Sequence, residues 1–353
     1  MDLALDFLST FARQLQTPTL AFLFGGMALA ALGSRLEIPD PVYRFIVVLL
    51  MLKIGLGAGI SIREADPAEI VLPALAASVL GVAIVLLGRV TLGLLPGVRT
   101  EDGIATAGLF GAVSASTLAA AMILLEEDGK AFEAWVPALY PFMDIPALLL
   151  AIVLAQMARA RSARRVGAMA TAGGAAPVQD TAWARRPAPR VGDILADSLR
   201  GSALSAMGLG LVLGLVARPD PVYASFYEPL FRGLLSILML VMGMEAWARL
   251  AELRRVAHVY AIYGVTAPLV HGAMGFGLGY LAHLATGFSA GGVVLLAVMA
   301  ASSSDISGPP TLRAAIPQAN PAAYVGTSTS LGTPIALLSV PLWMALAEIV
   351  FAL

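Results

Sequence analysis

The chain has no cysteine, only three histidines in 353 residues, and charged side chains at 13% of its length, about half the share found in ordinary soluble domains. Without cysteine there is no disulfide framework, no thiolate zinc site and no thiol nucleophile. Three histidines, none in a His-Glu-x-x-His pattern, argue against a catalytic zinc. A net charge of −1 leaves no basic footprint for nucleic acid. No glycine-rich phosphate loop follows a strand-like run, so pumping driven by a nucleotide would need another subunit, and no organic cofactor is expected. The opening Met1-Asp-Leu-Ala-Leu-Asp6 lacks the basic leader of a signal peptide.

Hydrophobic types fill 59% of the chain and the mean hydropathy is +0.85. Apolar runs near 18–34, 42–60, 70–95, 103–125, 135–157, 202–217, 230–248, 256–285, 288–311 and 322–350 read as membrane spans, each near the roughly 20 residues a bilayer requires. Helices are expected, because amides in hydrocarbon must be satisfied within their own segment. A β-barrel would show short alternating strands, and these runs are continuously apolar. The expectation is an all-α polytopic membrane protein of ten transmembrane helices.

Residues 158–200 differ, with eight arginines against three aspartates, a net +5, and Gly173-Gly-Ala-Ala-Pro177 and Arg186-Pro-Ala-Pro-Arg190. The positive-inside rule puts this Arg-rich stretch in the cytoplasm and, with five spans on each side, both termini outside. Glu126-Glu-Asp128 then falls outside and Arg254-Arg255 inside, as the rule requires. The stretch serves either as a flexible linker or as a docking surface for a soluble regulator. It separates 1–157 from 201–353, and these halves repeat. Pro39-Asp-Pro-Val-Tyr43 returns as Pro219-Asp-Pro-Val-Tyr223. At an offset of 188, Val113-Ser-Ala-Ser-Thr117 overlies Ala301-Ser-Ser-Ser-Asp305, and Leu52, Gly55 and Pro146 overlie Leu240, Gly243 and Pro334. An odd number of spans per half inverts the second half relative to the first, a pattern of secondary transporters whose site lies at the repeat interface.

The strongest chemical feature is Ser302-Ser-Ser-Asp-Ile-Ser-Gly-Pro-Pro-Thr311, set in an apolar run. Adjacent prolines cannot continue a helix but suit the first turn of a new one. A break at membrane depth is tolerated only inside protein or facing water. Freed amides there attract an anion. Freed carbonyls, the Ser302 hydroxyl and the Asp305 carboxylate suit Na⁺, and an intramembrane Asp is a functional candidate by default. The partner stretch is Thr106-Ala-Gly-Leu-Phe-Gly-Ala-Val-Ser-Ala-Ser-Thr117, in which Gly108, Gly111 and Ala112 permit close approach and Thr106, Ser114, Ser116 and Thr117 carry hydroxyls. Alone it reads equally as small-residue helix packing; paired by the offset, it becomes half of a two-fold site. Tyr140-Pro-Phe-Met-Asp-Ile-Pro146 sets Asp144 between two prolines, as a second cation ligand or a cap of a broken helix. Thr327-Ser-Thr-Ser330 offers hydroxyls to the same cavity. Lys53 and Glu245 are expected to pair with opposite charges or snorkel, and His271 to be a packed histidine. The GxxxG runs from Gly55, Gly210 and Gly275 read as helix contacts.

An intramembrane aspartyl protease built on Asp144 and Asp305 is disfavoured, because Met143 and Ser304 precede them where that chemistry needs Tyr-Asp and Gly-x-Gly-Asp. A carrier of a small anion coupled to Na⁺ fits better, with a Na⁺- or H⁺-coupled carrier of sulfate or a carboxylate as the alternative. Gly108-Leu-Phe-Gly-Ala-Val-Ser, Tyr140-Pro-Phe-Met-Asp-Ile-Pro-Ala147, Phe231-Arg-Gly-Leu-Leu-Ser-Ile-Leu-Met239, Met242-Gly-Met-Glu-Ala-Trp247 and Ala300-Ala-Ser-Ser-Ser-Asp-Ile-Ser-Gly-Pro-Pro-Thr-Leu-Arg313 resemble the SbtA-type sodium-dependent bicarbonate transporters over nearly the whole chain outside 158–200. The resemblance implies ten helices in two inverted five-helix repeats with broken helices at the substrate site, a homotrimer, and Na⁺/bicarbonate symport at the plasma membrane serving a carbon-concentrating mechanism. It further implies inhibition by a trimeric PII-like regulator of the SbtB type at the cytoplasmic face. It places bicarbonate on Gly111, Ala112, Ser114, Ala115, Ser116, Ser302, Ser303 and Ser304, and Na⁺ on Asp144 and Asp305. Thr106, Thr117 and Ser302 are expected to add oxygen ligands to Na⁺.

Overall fold

A computed structural model of the chain describes residues 17–173, 200–253 and 258–351, and among these it is helical without strands. The opening residues, most of the Arg-rich stretch and Arg254-Arg255 lie outside the described residues, so the cytoplasmic assignments that rest on them are not addressed by the fold. The first half contains α1 (Pro18–Ala31), α2 (Asp40–Glu64), α3 (Pro67–Gly93), α4 (Thr100–Gly111), α5 (Ala115–Glu127) and α6 (Tyr140–Gly173). The second contains α7 (Ser202–Val216), α8 (Glu228–Leu253), α9 (His258–Thr286), α10 (Ala290–Ala301), α11 (Gly308–Ala315), α12 (Pro321–Thr327), α13 (Thr333–Leu338) and α14 (Val340–Phe351).

Local chemistry marks the starts. Proline stands in the first turn of α1, α2, α3, α11 and α12, where its missing N–H would be unpaired in any case. Asp66, Ser289 and Asn320 cap α3, α10 and α12 by accepting the amides of Ala68, Gly292 and Ala322 at 2.9, 3.0 and 3.1 Å. Seven helical stretches are long and apolar enough to cross a membrane, while Pro18–Ala31, Ser202–Val216 and Ala290–Ala301 are apolar but shorter. A helix lies on each of the ten expected spans. α6 continues past the expected boundary at 157 to Gly173, because Ala and Arg are both good helix formers.

Two packing groups arise. α2 lies on α7 and α1 on α8, while α3, α4 and α6 pack together beside α9 and α10. The first contact needs glycine. A Cβ at Gly55 would overlap the Met207 carbonyl, and one at Gly59 the Leu211 carbonyl. Both helices advance by four residues between these contacts, so α2 and α7 run in the same direction. Gly210 and Gly214 return the contact against the Leu52 and Leu56 carbonyls. Buried deepest are the interrupted pairs: every residue from 102 to 125 and from 291 to 304 is buried. Outer faces carry Phe45, Val71, Val79, Val90, Ile262 and Leu284 exposed, as a lipid-facing surface would.

Connections meet at the two ends of the α4–α5 pair. At one end Lys130 pairs with Glu348 at 2.7 Å, Arg232 with Glu126 at 3.5 Å and Arg63 with Asp220 at 3.0 Å. Glu133 there accepts the Ser289 amide at 2.8 Å and its hydroxyl at 2.6 Å. At the other end Asp102 accepts the Asn320 amide at 2.8 Å and Arg99 donates to the Gln318 carbonyl at 2.7 Å.

Gly55→Ala should push α2 from α7 at a cost of about 1–3 kcal/mol. Gly25 faces open space, so Gly25→Ala should leave the melting temperature unchanged or slightly raised. Equal melting curves for the two variants would show that the α2–α7 contact is not tight.

Candidate functional site at the paired helix breaks

α4 stops at Gly111 and the backbone turns extended at Ala112, with ψ 154°; α10 stops at Ala301 and turns extended at Ser302, with ψ 170°. The first break spans only Ala112–Ser114, since Ser114 immediately caps α5 by accepting the Thr117 amide at 3.0 Å. The second runs from Ser302 to Ser307, because Pro309 and Pro310 set where α11 can begin. Each break frees amides and carbonyls that buried surroundings cannot leave unpaired.

Each break supplies the other. The Ser114 amide donates to Ser302 Oγ at 3.0 Å, joining two positions that are 188 apart. The Ser304 amide donates to the Leu109 carbonyl at the end of α4 at 2.9 Å. Ser116 donates its hydroxyl to Asp305 Oδ2. Ser303 and Ser328 share a hydroxyl bond at 2.6 Å. Ser304 accepts the Gly308 amide at 2.9 Å and meets Ser307 at 3.1 Å.

Asp144 bridges both breaks. Its Oδ1 accepts the Val113 amide at 3.1 Å and its Oδ2 accepts the Ser307 hydroxyl at 3.3 Å. Tyr140 lies 3.3 Å from the same Ser307 hydroxyl. The chain is not broken at Asp144 itself: a 3-10 turn at Val136–Leu139 precedes α6, and Pro146 is carried inside the helix. The cap that Asp144 provides is therefore on neighbouring segments, not on its own helix.

Among the described residues, Asp305 Oδ1 and Thr117 Oγ1 are buried at the site without a hydrogen-bond partner. They are free acceptors for a cation or a ligand's donor. The starts of α5 and α11 open at the breaks, and helix starts carry partial positive charge. The site thus offers oxygen acceptors and positive amide ends together, the pairing that a cation and a small anion need.

The expected residues are not all equivalent. Ser114, Ser116, Ser302, Ser303, Ser304, Asp144 and Asp305 meet at the breaks. Ala112 and Ala115 are buried there without polar side chains. Gly111 packs toward Val85 and Ala147, so its missing side chain serves the contact of α4 with α3 and α6. Thr106 keeps its hydroxyl on the Asp102 carbonyl within α4, at 2.7 Å. Ser307 and Tyr140 belong to the network without a role expected for them individually, and of the Thr327–Ser330 hydroxyls Ser328 joins it. Ser307 stood in the conspicuous polar run, whereas Thr327 and Ser330 beside Ser328 bond back to their own helical segment. Lys53 is buried and lies over aromatic rings, 4.1 Å from the Phe231 centroid and 5.6 Å from that of Tyr223. Among the described residues no three acidic or histidine side chains gather around a point. A cation at the breaks would accordingly draw on hydroxyls and carbonyls beside a carboxylate.

Seven long apolar helices around buried, polar-lined interruptions make this a polytopic helical membrane protein. A family model described as the Na⁺-dependent bicarbonate transporter superfamily matches residues 18–348. The chain belongs to that superfamily. No curated protein matches the chain.

Asp144→Ala would strand the buried Val113 amide, at about 1–3 kcal/mol for the unsatisfied group, and would take one acceptor from the Ser307 hydroxyl, which keeps Ser304 and Tyr140 as neighbours. The melting temperature in Na⁺-free buffer should fall by several degrees, and fall less for Asp144→Asn, which keeps one acceptor. A melting curve for Asp144→Ala that overlays the parent's would remove Asp144 from the framework of the breaks.

Proposed function

We propose that the protein is a secondary transporter that carries bicarbonate into the cell together with Na⁺, by alternating access around the paired breaks. The observation that carries this reading is the mutual satisfaction of two interrupted helices by Ser114–Ser302 and Ser116–Asp305, with Asp305 Oδ1 and Thr117 Oγ1 left open beside them. Superfamily membership supports the pairing of Na⁺ with bicarbonate.

Bicarbonate is a small monoanion with one donor and several acceptors. Serine hydroxyls both donate and accept, and the starts of α5 and α11 meet its charge. Ser114, Ser116 and Ser302–Ser304 hold the anion, with Gly111, Ala112 and Ala115 giving the backbone close access. Asp305, Thr117 and Ser302 ligate Na⁺, and the cation offsets repulsion between the anion and Asp305. Asp144 holds the two breaks in register, near the cation. Thr106 supports α4 beneath the site. The Na⁺ gradient drives uptake against the anion's own gradient and an inside-negative potential when at least one Na⁺ accompanies each bicarbonate.

Ten transits in two inverted halves, 1–157 and 201–353, suit the parallel run of α2 and α7. Three crossings, by α3, the α4–α5 pair and α6, lie between them and return the chain to the same direction, which places α1 and α7 in opposite senses. Both termini then lie outside the plasma membrane and the Arg-rich stretch 158–200 in the cytoplasm. Three such chains form a homotrimer whose cytoplasmic face receives a trimeric PII-like regulator, and the uptake serves carbon concentration.

Labelled-bicarbonate uptake into vesicles should require Na⁺ and fail when K⁺ replaces it, with sulfate and a carboxylate competing poorly. Asp305→Asn should abolish Na⁺-dependent uptake at normal expression, and Ser303→Ala with Ser304→Ala should raise KM at least several-fold. Uptake in K⁺ equal to that in Na⁺ would sink the symport reading, and full activity of Asp305→Asn would remove Asp305 from the cation site.

A further inference from the structure

Lys53 has no task in the transport reading, yet it is a charge placed where charges are expensive. It is 6% exposed. Its ammonium lies against the rings of Phe231 and Tyr223, and among the described residues no hydrogen bond or ion pair holds it. A ring face offsets only part of what an ammonium loses on leaving water.

The next residue after Phe231 is Arg232, which holds Glu126 at 3.5 Å near the rim, where the two side chains are 60% and 37% exposed. Lys53 and Arg232 stand on α2 and α8, which touch each other. Glu126 stands near the end of α5, which packs on α10 and also touches α2 and α8. The Glu126–Arg232 pair therefore crosses the seam between the two packing groups. On α2, Tyr43 is within electrostatic reach of Asp305, the residue that Ser116 of α5 bonds, and Lys53 is within reach of Glu126. From 43 to 53 and from 116 to 126 is ten residues on each helix, about 15 Å of rise, so α2 and α5 run side by side in one direction. One carboxylate thus faces two cations of the other group, an exposed one that it holds and a buried one that it does not.

We infer that Glu126 is a two-position latch, held by Arg232 in this conformation and by Lys53 once α5 shifts along α2 toward the middle of the bundle. In the first position Lys53 keeps its ring faces. In the second Lys53 gains a carboxylate and Arg232, at the rim, returns to water. Neither position strands a charge, as an exchange between two states of similar energy requires. Glu228 is also within electrostatic reach of Lys53, but it belongs to α8, in the same group, and a pair formed there would not respond to relative movement. The shift of α5 rests on the alternating-access reading; the second partnership does not.

The chain has two lysines, Lys53 and Lys130. The full chain labelled with ¹³C-lysine in phosphatidylcholine nanodiscs therefore gives two side-chain signals, and Lys130, paired with Glu348, is the reference. Lys53 should carry the upfield shift of a group over a ring face, which Phe231→Leu removes. Arg232→Ala frees Glu126 and should move the Lys53 signal downfield while Lys130 stays in place. Adding Glu126→Gln should return Lys53 to its parental position. In uptake, Lys53→Met keeps the apolar stem and should slow the maximal rate about threefold, the effect of one modest ion pair, at unchanged KM, as for a conformational step. A Lys53 signal unmoved by Arg232→Ala, or moved as far when Glu126→Gln is present, would overturn the inference. So would a Lys53→Met variant that transports at the parental rate. Transfer of Glu126 to Lys53 in a chain that takes up no bicarbonate would support the latch while sinking the proposed cargo.

Discussion

A helix interrupted at membrane depth exposes amides and carbonyls that no water can take up. Here two interrupted helices meet, and each provides what the other lacks. The Ser114 amide finds Ser302, the Leu109 carbonyl finds the Ser304 amide, and Ser116 finds Asp305. Neither break would be stable at this depth alone. Their meeting also brings two helix starts and an unpaired carboxylate oxygen to one place, so the same requirement that stabilises the fold assembles the candidate site. Asp144 extends this logic by accepting from Val113 in one break and Ser307 in the other.

Around this centre the remaining helices act as frame. Glycines let α2 and α7 touch backbone to backbone, a contact that no side chain larger than hydrogen permits at Gly55 and Gly59. Polar latches hold the ends: Glu133 ties the start of α10 to the segment before α6, and Asp102 ties the start of α4 to the segment before α12.

Much of this was legible beforehand. Apolar runs located helices on all ten expected spans, because hydrocarbon leaves the backbone little other choice. The Ser302–Thr311 run announced its break through Pro309 and Pro310, whose rings cannot continue α10. The GxxxG runs correctly marked close contacts. Other features left no local trace. A 14-residue α1 and a 15-residue α7 are shorter than expected spans, and α6 runs on through an Arg-rich stretch that composition alone marked as a loop. Asp144 between prolines suggested a break at its own position, yet α6 carries Pro146 within the helix. Ser328 looks no different in sequence from Thr327 or Ser330, although it alone of the three reaches Ser303.

Hydropathy, prolines and serines, read in order along the chain, were enough for the helical membrane class and the two polar interruptions. Each of those properties depends on neighbours a few positions apart. Which hydroxyl meets which carboxylate, and which buried oxygens stay unpaired, were settled by packing. Such pairings join positions as far as 188 residues apart, and hydrogen bonds distinguish partners by tenths of an ångström, a scale on which linear order carries no information.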